Sequence, residues 1–475
     1  MPLMPVILWT DALVFLLLAL GVGFGLYASH HEHLRAPWRR VARSRVGMGA
    51  LVILVFYVLI GLLDTIHFRL PLTAPLPAAG QPAAERQFAP EVLSLLDAWA
   101  TPLRKHQEKT YSAPFALTLF VKEAMTQPDG SVIRDYPRLK WGGRHLKDPG
   151  QRGWDIAGTA LTGLAGGLVV WGLIALPIPW RMARRRGLTL SVMSEQIRAG
   201  RTELPWRTAL GTLAVMLVLG FIAGELALKY HILGTDKVGE DVFFQALKSI
   251  RTGLVIGTLT TLVMLPAAVL LGIMAGYFRG WVDDIIQYLY TTLNAIPGVL
   301  LIAAAILMLQ VYMANHAEAF ESLVQRADLR LLFLCLILGV TSWTGLCRLL
   351  RGEALKLREA DYVQASVALG VGHFAILGRH ILPNVLHIVM ITLVLDFSGL
   401  VLAEAVLSYV NIGVDPTMNS WGNMINSARL ELARDPVVWW SLAAAFLFMF
   451  TLVLAANLFA DVVRDAFDPR LRGAR

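Results

Sequence analysis

Cysteine is nearly absent: Cys335 and Cys347 are the two in 475 residues. They fall on one predicted helix, and their spacing at 1.5 Å per residue separates them by about 18 Å. No disulfide spans that distance, so the pair carries no message about redox compartment. Charge is scarce as well, at 16 % of the residues. The chain contains no G-x-x-x-x-G-K-[ST], no H-E-x-x-H and no C-x-x-C. That removes the sequence grounds for a phosphate-cradling loop, a zinc peptidase helix and a thiol redox pair. No cofactor or metal is therefore expected on this chain, and any ATP that drives it is hydrolysed on another.

What remains is apolar. Hydrophobic residues make up 56 % and the mean hydropathy is +0.59, the composition of an all-α polytopic membrane protein. Uncharged or nearly uncharged runs at 6–27, 47–66, 156–179, 208–228, 252–277, 295–313, 331–347 with its flanks, 385–407 and 437–460 each have the length of a membrane-spanning helix. They predict about nine transmembrane helices. The first run does not read as a signal peptide: Asp11 is the charge near its start, and no small-x-small cleavage site follows. The net charge of +8 does not point to nucleic acid, because the arginines cluster in loops between runs. His30–Arg45 holds five of them, and Arg181, Arg184, Arg185, Arg186, Arg198, Arg201 and Arg207 form the strongest cluster. The positive-inside rule puts these loops in the cytoplasm, the N-terminus outside and the C-terminus inside.

The polar, proline-rich stretch from His67 to Asp155 then lies outside the cytoplasm. With Trp99, Tyr111, Phe115, Phe120, Tyr136 and Trp141 it has apolar material for a small ordered element, short of an independent domain. It serves as a structural cap or as a contact for a substrate-binding partner. Two metal readings are weak. His30, His31 and His33 match no usual ligand spacing, and Asp236, Glu240 and Asp241 lack the spacing of a calcium loop. The second group reads instead as an Asp-capped turn into the next helix.

The chain is organised around 348–384. Leu331–Cys347 is uncharged, seven of the fourteen residues in Arg348–Asp361 are charged, and Tyr362–Gly378 is uncharged again. This second segment carries Gln364, Ser366, His373 and an elbow at Gly370 and Gly372. Such a hairpin is too apolar for water and too broken to span, which predicts a docking surface for a protein partner. Gly370–Ala375 also fits G-x-G-x-x-A, but a dinucleotide site needs a preceding strand, and helix-forming sequence stands there.

The hairpin resembles the EAA loop of ABC importer permeases: Glu-Ala-Ala, three residues, Gly, nine residues, Ile-x-Leu-Pro. Here the positions are Gln364-Ala365-Ser366, Gly370 and His380-Ile381-Leu382-Pro383, with Gln, Ser and His as departures. The ending Arg379-His-Ile-Leu-Pro-Asn384 is similar to the branch that imports oligopeptides, dipeptides and nickel chelates, as a second permease. So are His231–Val242, with Glu240 where the family has Arg, and Ala275–Asp283, Ala295-Ile296-Pro297, Glu404–Pro416, Ser420–Met424 and Arg464–Arg472. The resemblance covers roughly 208–472. It implies a six-helix type I importer core in 206–475, with 1–205 as an N-terminal extension of three spans. It implies a second permease subunit, two cytoplasmic ATPases carrying ATP and magnesium, an extracytoplasmic binding protein, and a place in a bacterial inner membrane in contact with lipid. The coupling residues it implies are Asp361, Gln364, Ala365, Ser366, Leu369, Gly370, His373, Leu382 and Pro383. Ala365 and Ser366 allow close docking, Gly370 makes the elbow, Pro383 marks the exit, and Gln364 offers an amide in place of a charge.

Asp396 and Glu404 stand inside the 385–407 run, about 80° apart around a helix. A carboxylate in lipid costs roughly 3 kcal/mol or more, so both should face the bundle or an aqueous path. They are candidates for the translocation pathway or for helix contacts. An ion-coupled secondary transporter is an alternative, though no self-similar halves are visible. An intramembrane enzyme is another, though no nucleophile–base pair stands within the spans. Small residues four apart, Gly253 with Gly257 and Gly272 with Gly276, indicate close helix packing, and Pro266 a kink.

Overall fold

The computed structural model describes residues 4–72, 88–126, 132–316, 318, 320 and 322–467. The side chain of His33 and the tail residues 468–472 singled out above lie outside the described residues. In chain order the elements are β1 (Met4–Val6), α1 (Trp9–His30), α2 (Glu32–Arg43), α3 (Arg45–Thr65), β2 (His67–Arg69), β3 (Leu93–Ser94), α4 (Leu95–Trp99) and α5 (Thr101–Lys105). Next come β4 (Glu123–Thr126), β5 (Val132–Asp135), α6 (Arg152–Ala175), α7 (Pro177–Arg186), α8 (Leu190–Arg198), α9 (Trp206–Ala227), α10 (Val242–Phe278), α11 (Gly280–Ala295) and α12 (Gly298–Asn315). The last are α13 (Leu323–Arg358), α14 (Asp361–Ala368), α15 (His373–Ile376), α16 (Leu382–Tyr409), α17 (Trp421–Glu431) and α18 (Trp440–Phe467).

Among the described residues nine helices are long and apolar enough to cross a membrane. They are α1, α3, α6, α9, α10, α12, α13, α16 and α18, matching the nine apolar runs. Their ends differ from the runs where charge continues a helix. α13 takes in Arg326, Asp328 and Arg330 before its uncharged stretch and Arg348–Arg358 after it. Ser322 starts it by accepting the Gln325 N–H at 3.3 Å. α10 begins at Val242, because Asp241 accepts the N–H groups of Phe243 and Phe244 at 2.9 and 3.1 Å. That is the Asp-capped turn read from the sequence. α10 runs as helix through Pro266.

Packing divides the chain into two compact units. The first is Met1–Val6, Arg40–Thr252 and Asn419–Ala455. Here α6 lies against α9 through a glycine stripe. A Cβ on Gly163 would stand 2.7 Å from Ile222 Cα, and one on Gly167 2.8 Å from Val218 Cα. Trp171 Nε1 donates to Leu210 O at 2.8 Å across the same seam. The Gly163–Gly167 spacing was as visible in the sequence as the pairs in α10. A Gly167→Leu chain should lose about 1–3 kcal/mol from overpacking, read as a lower melting temperature in detergent. An unchanged melting temperature would remove the stripe from the packing account.

The segment between α3 and α6 belongs to this unit. It contributes to an antiparallel sheet in the order β1-β2-β3 and forms a β4-β5 hairpin. It folds onto the turn between α9 and α10: Glu108 N donates to Gly239 O at 2.9 Å, Phe115 N to His231 O at 3.0 Å, and Thr235 N to Ser112 O at 3.0 Å. A Cβ on Gly239 would meet Glu108 O at 1.9 Å, and its φ of +80° suits glycine. Tyr111 is buried, whereas Trp99 and Tyr136 are exposed, so the aromatics do not all serve a core. Under the turn, His231 Nδ1 lies 2.7 Å from Asp241 Oδ2 and His231 Nε2 lies 3.4 Å from Glu108 Oε1. Glu108 also accepts the N–H groups of Lys140, Trp141 and Gly142 at 2.8, 2.8 and 3.1 Å.

The second unit is Ile7–Arg39, Gly253–Met418 and Ala456–Arg475. Gly272 and Gly276 of α10 rest on α13; a Cβ on Gly276 would stand 2.5 Å from Arg351 O. Gly257 makes room for the Phe397 ring of α16, 2.5 Å from its virtual Cβ. α1 is tied to α13 by Thr10 N, which donates to the buried Asp328 at 3.1 Å.

Candidate functional site

The hairpin between α13 and α16 has two faces. Its back is apolar and closed: Val363, Ile376, Leu377 and Ile381 are buried in one core with Leu350 and Ala354 of α13 and Tyr277 of α10. Its tip is apolar and open. Leu369 is 83 % exposed and Phe374 78 %, with Val367 and Val371 exposed beside them. Between the two sits Gly370, with φ +76° and no atom within 4 Å of a virtual Cβ. α14 ends there in a Schellman cap: Gly370 N donates to Val367 O at 3.0 Å and Val371 N to Ser366 O at 3.1 Å. Glycine supplies the left-handed φ at no steric cost. The elbow is therefore Gly370 alone, since Gly372 has φ −57°.

The polar residues of the hairpin are tied within the chain. Gln364 Nε2 donates to both Glu359 O and Glu359 Oε2 at 3.3 Å, and Glu359 accepts from Arg279 at 2.6 Å. Ser366 Oγ donates to Tyr362 O at 2.8 Å. His373 Nδ1 shares a 2.9 Å hydrogen bond with the Tyr277 hydroxyl. Asp361 opens α14 and is exposed, as is Ala365. From α15 the chain passes through a π-helical turn, Leu377–Ile381, into α16. Leu382 is half-buried and Pro383 exposed at the start of α16, directly after the π-helical turn.

Two ionic ties escaped sequence reasoning. One is Arg279–Glu359. The other is Arg351 on α13, which holds Asp283 of α11 bidentately at 2.6 and 2.7 Å. The Arg351 hydrogen bonds hold the Asp283 carboxyl below its usual range against the opposing effect of burial. Partners this far apart in sequence show no local pattern; the one signal was the Asp at the end of the 275–283 motif.

The two carboxylates of α16 part company. Glu404 is 2 % exposed and accepts the Ser408 hydroxyl at 2.7 Å, as a side chain held in helix packing does. Asp396 is half-buried and lines a cavity of about 290 Å³ together with Ser342 and Gly345 of α13 and Thr392 and Gly399 of α16.

Comparison with known proteins adds the following. The family model "Binding-protein-dependent transport system inner membrane component" matches residues 268–473. The chain is 33 % identical over 244 residues to the glutathione transport system permease protein GsiD of Pectobacterium atrosepticum, covering 51 % of this chain and 73 % of that protein. It is 30 % identical over 245 residues to the oligopeptide transport system permease protein OppC of Mycobacterium bovis, covering 52 % and 78 %. It is 29 % identical over 240 residues to the dipeptide transport system permease protein DppC of Lactococcus lactis, covering 50 % and 64 %. About half of this chain is thus shared with these relatives. The nine apolar helices among the described residues, the spacing of the hairpin motif and these matches agree: the chain belongs to the family of binding-protein-dependent transport system inner membrane components, as a transmembrane permease subunit of an ATP-binding cassette importer.

Proposed function

We propose that this permease imports peptides or similar small solutes and is driven through the 362–383 loop by ATPases on separate chains. It pairs with a second permease subunit, two ATPase subunits or domains that carry ATP and magnesium, and an extracytoplasmic binding protein; this chain carries no cofactor of its own. The hairpin and the C-terminus face the cytoplasm, and the N-terminus faces outward. ATP-driven closure of the ATPases pushes the hairpin, and α13 and α16 tilt with it to switch access. The observation that carries this reading is the exposed apolar tip, Leu369 and Phe374 around the Gly370 elbow, on a hairpin whose back is locked into the core. Apolar side chains displayed on a rigid support mark a surface awaiting a partner.

The experiment is co-purification. A tagged L369D/F374D permease should still insert and hold the second permease, yet lose at least about 90 % of its ATPase, because truncating central apolar anchors costs several kcal/mol. Full retention of the ATPase would reject the hairpin as the docking element.

A further inference from the structure

Asp396 stands in the middle of α16, about 20 Å from either end at 1.5 Å per residue. It has no hydrogen-bond or ion-pair partner among the described residues. Its surroundings are not packed around it. The cavity it lines, about 290 Å³, is close to the lower end of small-molecule sites, about 300 Å³. Two glycines keep that space open: a Cβ on Gly345 or on Gly399 would meet nothing within 4 Å. Thr392 lies one turn before Asp396 on α16, and Ser342 and Gly345 face it from α13. The described lining residues hold two hydroxyls, one carboxylate and no cation. The contrast with Glu404 on the same helix is direct, since Glu404 is buried and hydrogen-bonded to Ser408.

An ionisable side chain at this depth is retained where it faces a cavity or meets an opposite charge. We infer that the Asp396 cavity receives the positively charged group of the transported solute, an ammonium or a guanidinium, during its passage. The carboxylate supplies the countercharge that lipid and the apolar walls withhold, and Ser342 and Thr392 offer hydroxyl oxygens to the remaining N–H groups. An anionic group is repelled at the same place, so the cavity sorts solutes by charge as well as by size. This deepens the importer reading above and rests on it, with the cation as the added claim.

The test uses the assembled importer. Cys335 and Cys347, both fully buried, are changed to alanine, and Ser342→Cys places a thiol in the cavity. Two thiosulfonate reagents of similar size are compared, one carrying a quaternary ammonium and one a sulfonate. The cationic reagent should be favoured about tenfold beyond its advantage in free solution, and adding D396N should abolish that excess. A thiol that does not react, or a preference that D396N leaves unchanged, overturns the inference. Uptake then names the source of the cation. D396N should slow trialanine about tenfold if the N-terminal ammonium is read, or N-acetyl-Lys-Ala-Ala if a side chain is read, and should leave N-acetyl-trialanine within about twofold. Equal losses for all three, or loss of the second permease from the D396N complex, assign Asp396 to helix or subunit packing and overturn the claim. A wild-type importer that carries none of the three fails the peptide reading alone, and the thiol experiment still decides the site.

Discussion

Gly370→Trp should abolish uptake while the chain still inserts, if the hairpin is the docking element proposed above. The expected loss of transport exceeds about a hundredfold, because it acts on the drive rather than on a single contact. The position separates shape from stability. No atom lies within 4 Å of a virtual Cβ at Gly370, so tryptophan does not collide with the protein's own core. Its φ of +76° costs a non-glycine residue about 1–3 kcal/mol, which a cap in open space absorbs by local adjustment. What the indole does is stand between Leu369 and Phe374 and hold any flat partner away. Gly370→Ala carries the same backbone penalty without the bulk and should keep uptake within a few fold. Equal loss in both variants would mean that elbow strain, not occlusion, governs the effect. Normal assembly and transport in the tryptophan variant would remove the docking assignment.

The second large effect is expected at His231. Burial pushes its imidazole toward the neutral form, but Asp241 and Glu108 outweigh burial and hold the proton up to about 9. Glu108 also overcomes its burial, through His231 and three backbone N–H groups, and is lowered to about 2. His106 nearby is lowered by burial and by the positive charge of His231. The signs follow from linkage. A raised histidine gives its full contribution below its ordinary value of 6.5 and loses it as pH climbs through about 9. A depressed glutamate contributes above its ordinary 4.5 and loses that as pH falls through about 2. The purified chain should therefore show a flat melting temperature between pH 4.5 and 6.5 as far as these groups decide it, with a decline on the alkaline side. His231→Leu leaves two buried carboxylates without their countercharge and should cost about 3–5 kcal/mol near neutrality, and its alkaline decline should vanish. A variant that melts like the parent at pH 6 would show the cluster to be solvated.

The membrane spans were legible because lipid imposes a crude requirement, a long run without charge. Their ends were not, since charged turns of α13 and α10 stay helical on the strength of caps and tertiary pairs such as Ser322 and Arg351–Asp283. The hairpin was legible as a pattern: Gly370 sits at the spacing where α14 must stop, and the left-handed cap follows. Its apolar tip was also foreseeable, yet which of its apolar residues turn inward was not, because Val363 and Val367 are chemically alike and only the position of α13 separates them. Asp396 and Glu404 read alike in sequence. The helical repeat placed them on one side of α16, but their environments depend on Gly345, Gly399 and Ser408 around them. The Glu108–His231–Asp241 cluster was illegible, since no local periodicity joins a loop residue to a turn 123 positions away.

That separation bears on how the chain is made. Glu108 leaves the ribosome long before His231 exists, and at ordinary elongation rates the interval is roughly 6–25 s. Throughout it Glu108 and its neighbours have neither their countercharge nor the turn on which they rest, while α6 and α9 are still being made. The segment must therefore wait in an unfinished state while later helices are laid down. A chain halted before His231 should present this segment to proteases in its unfinished form.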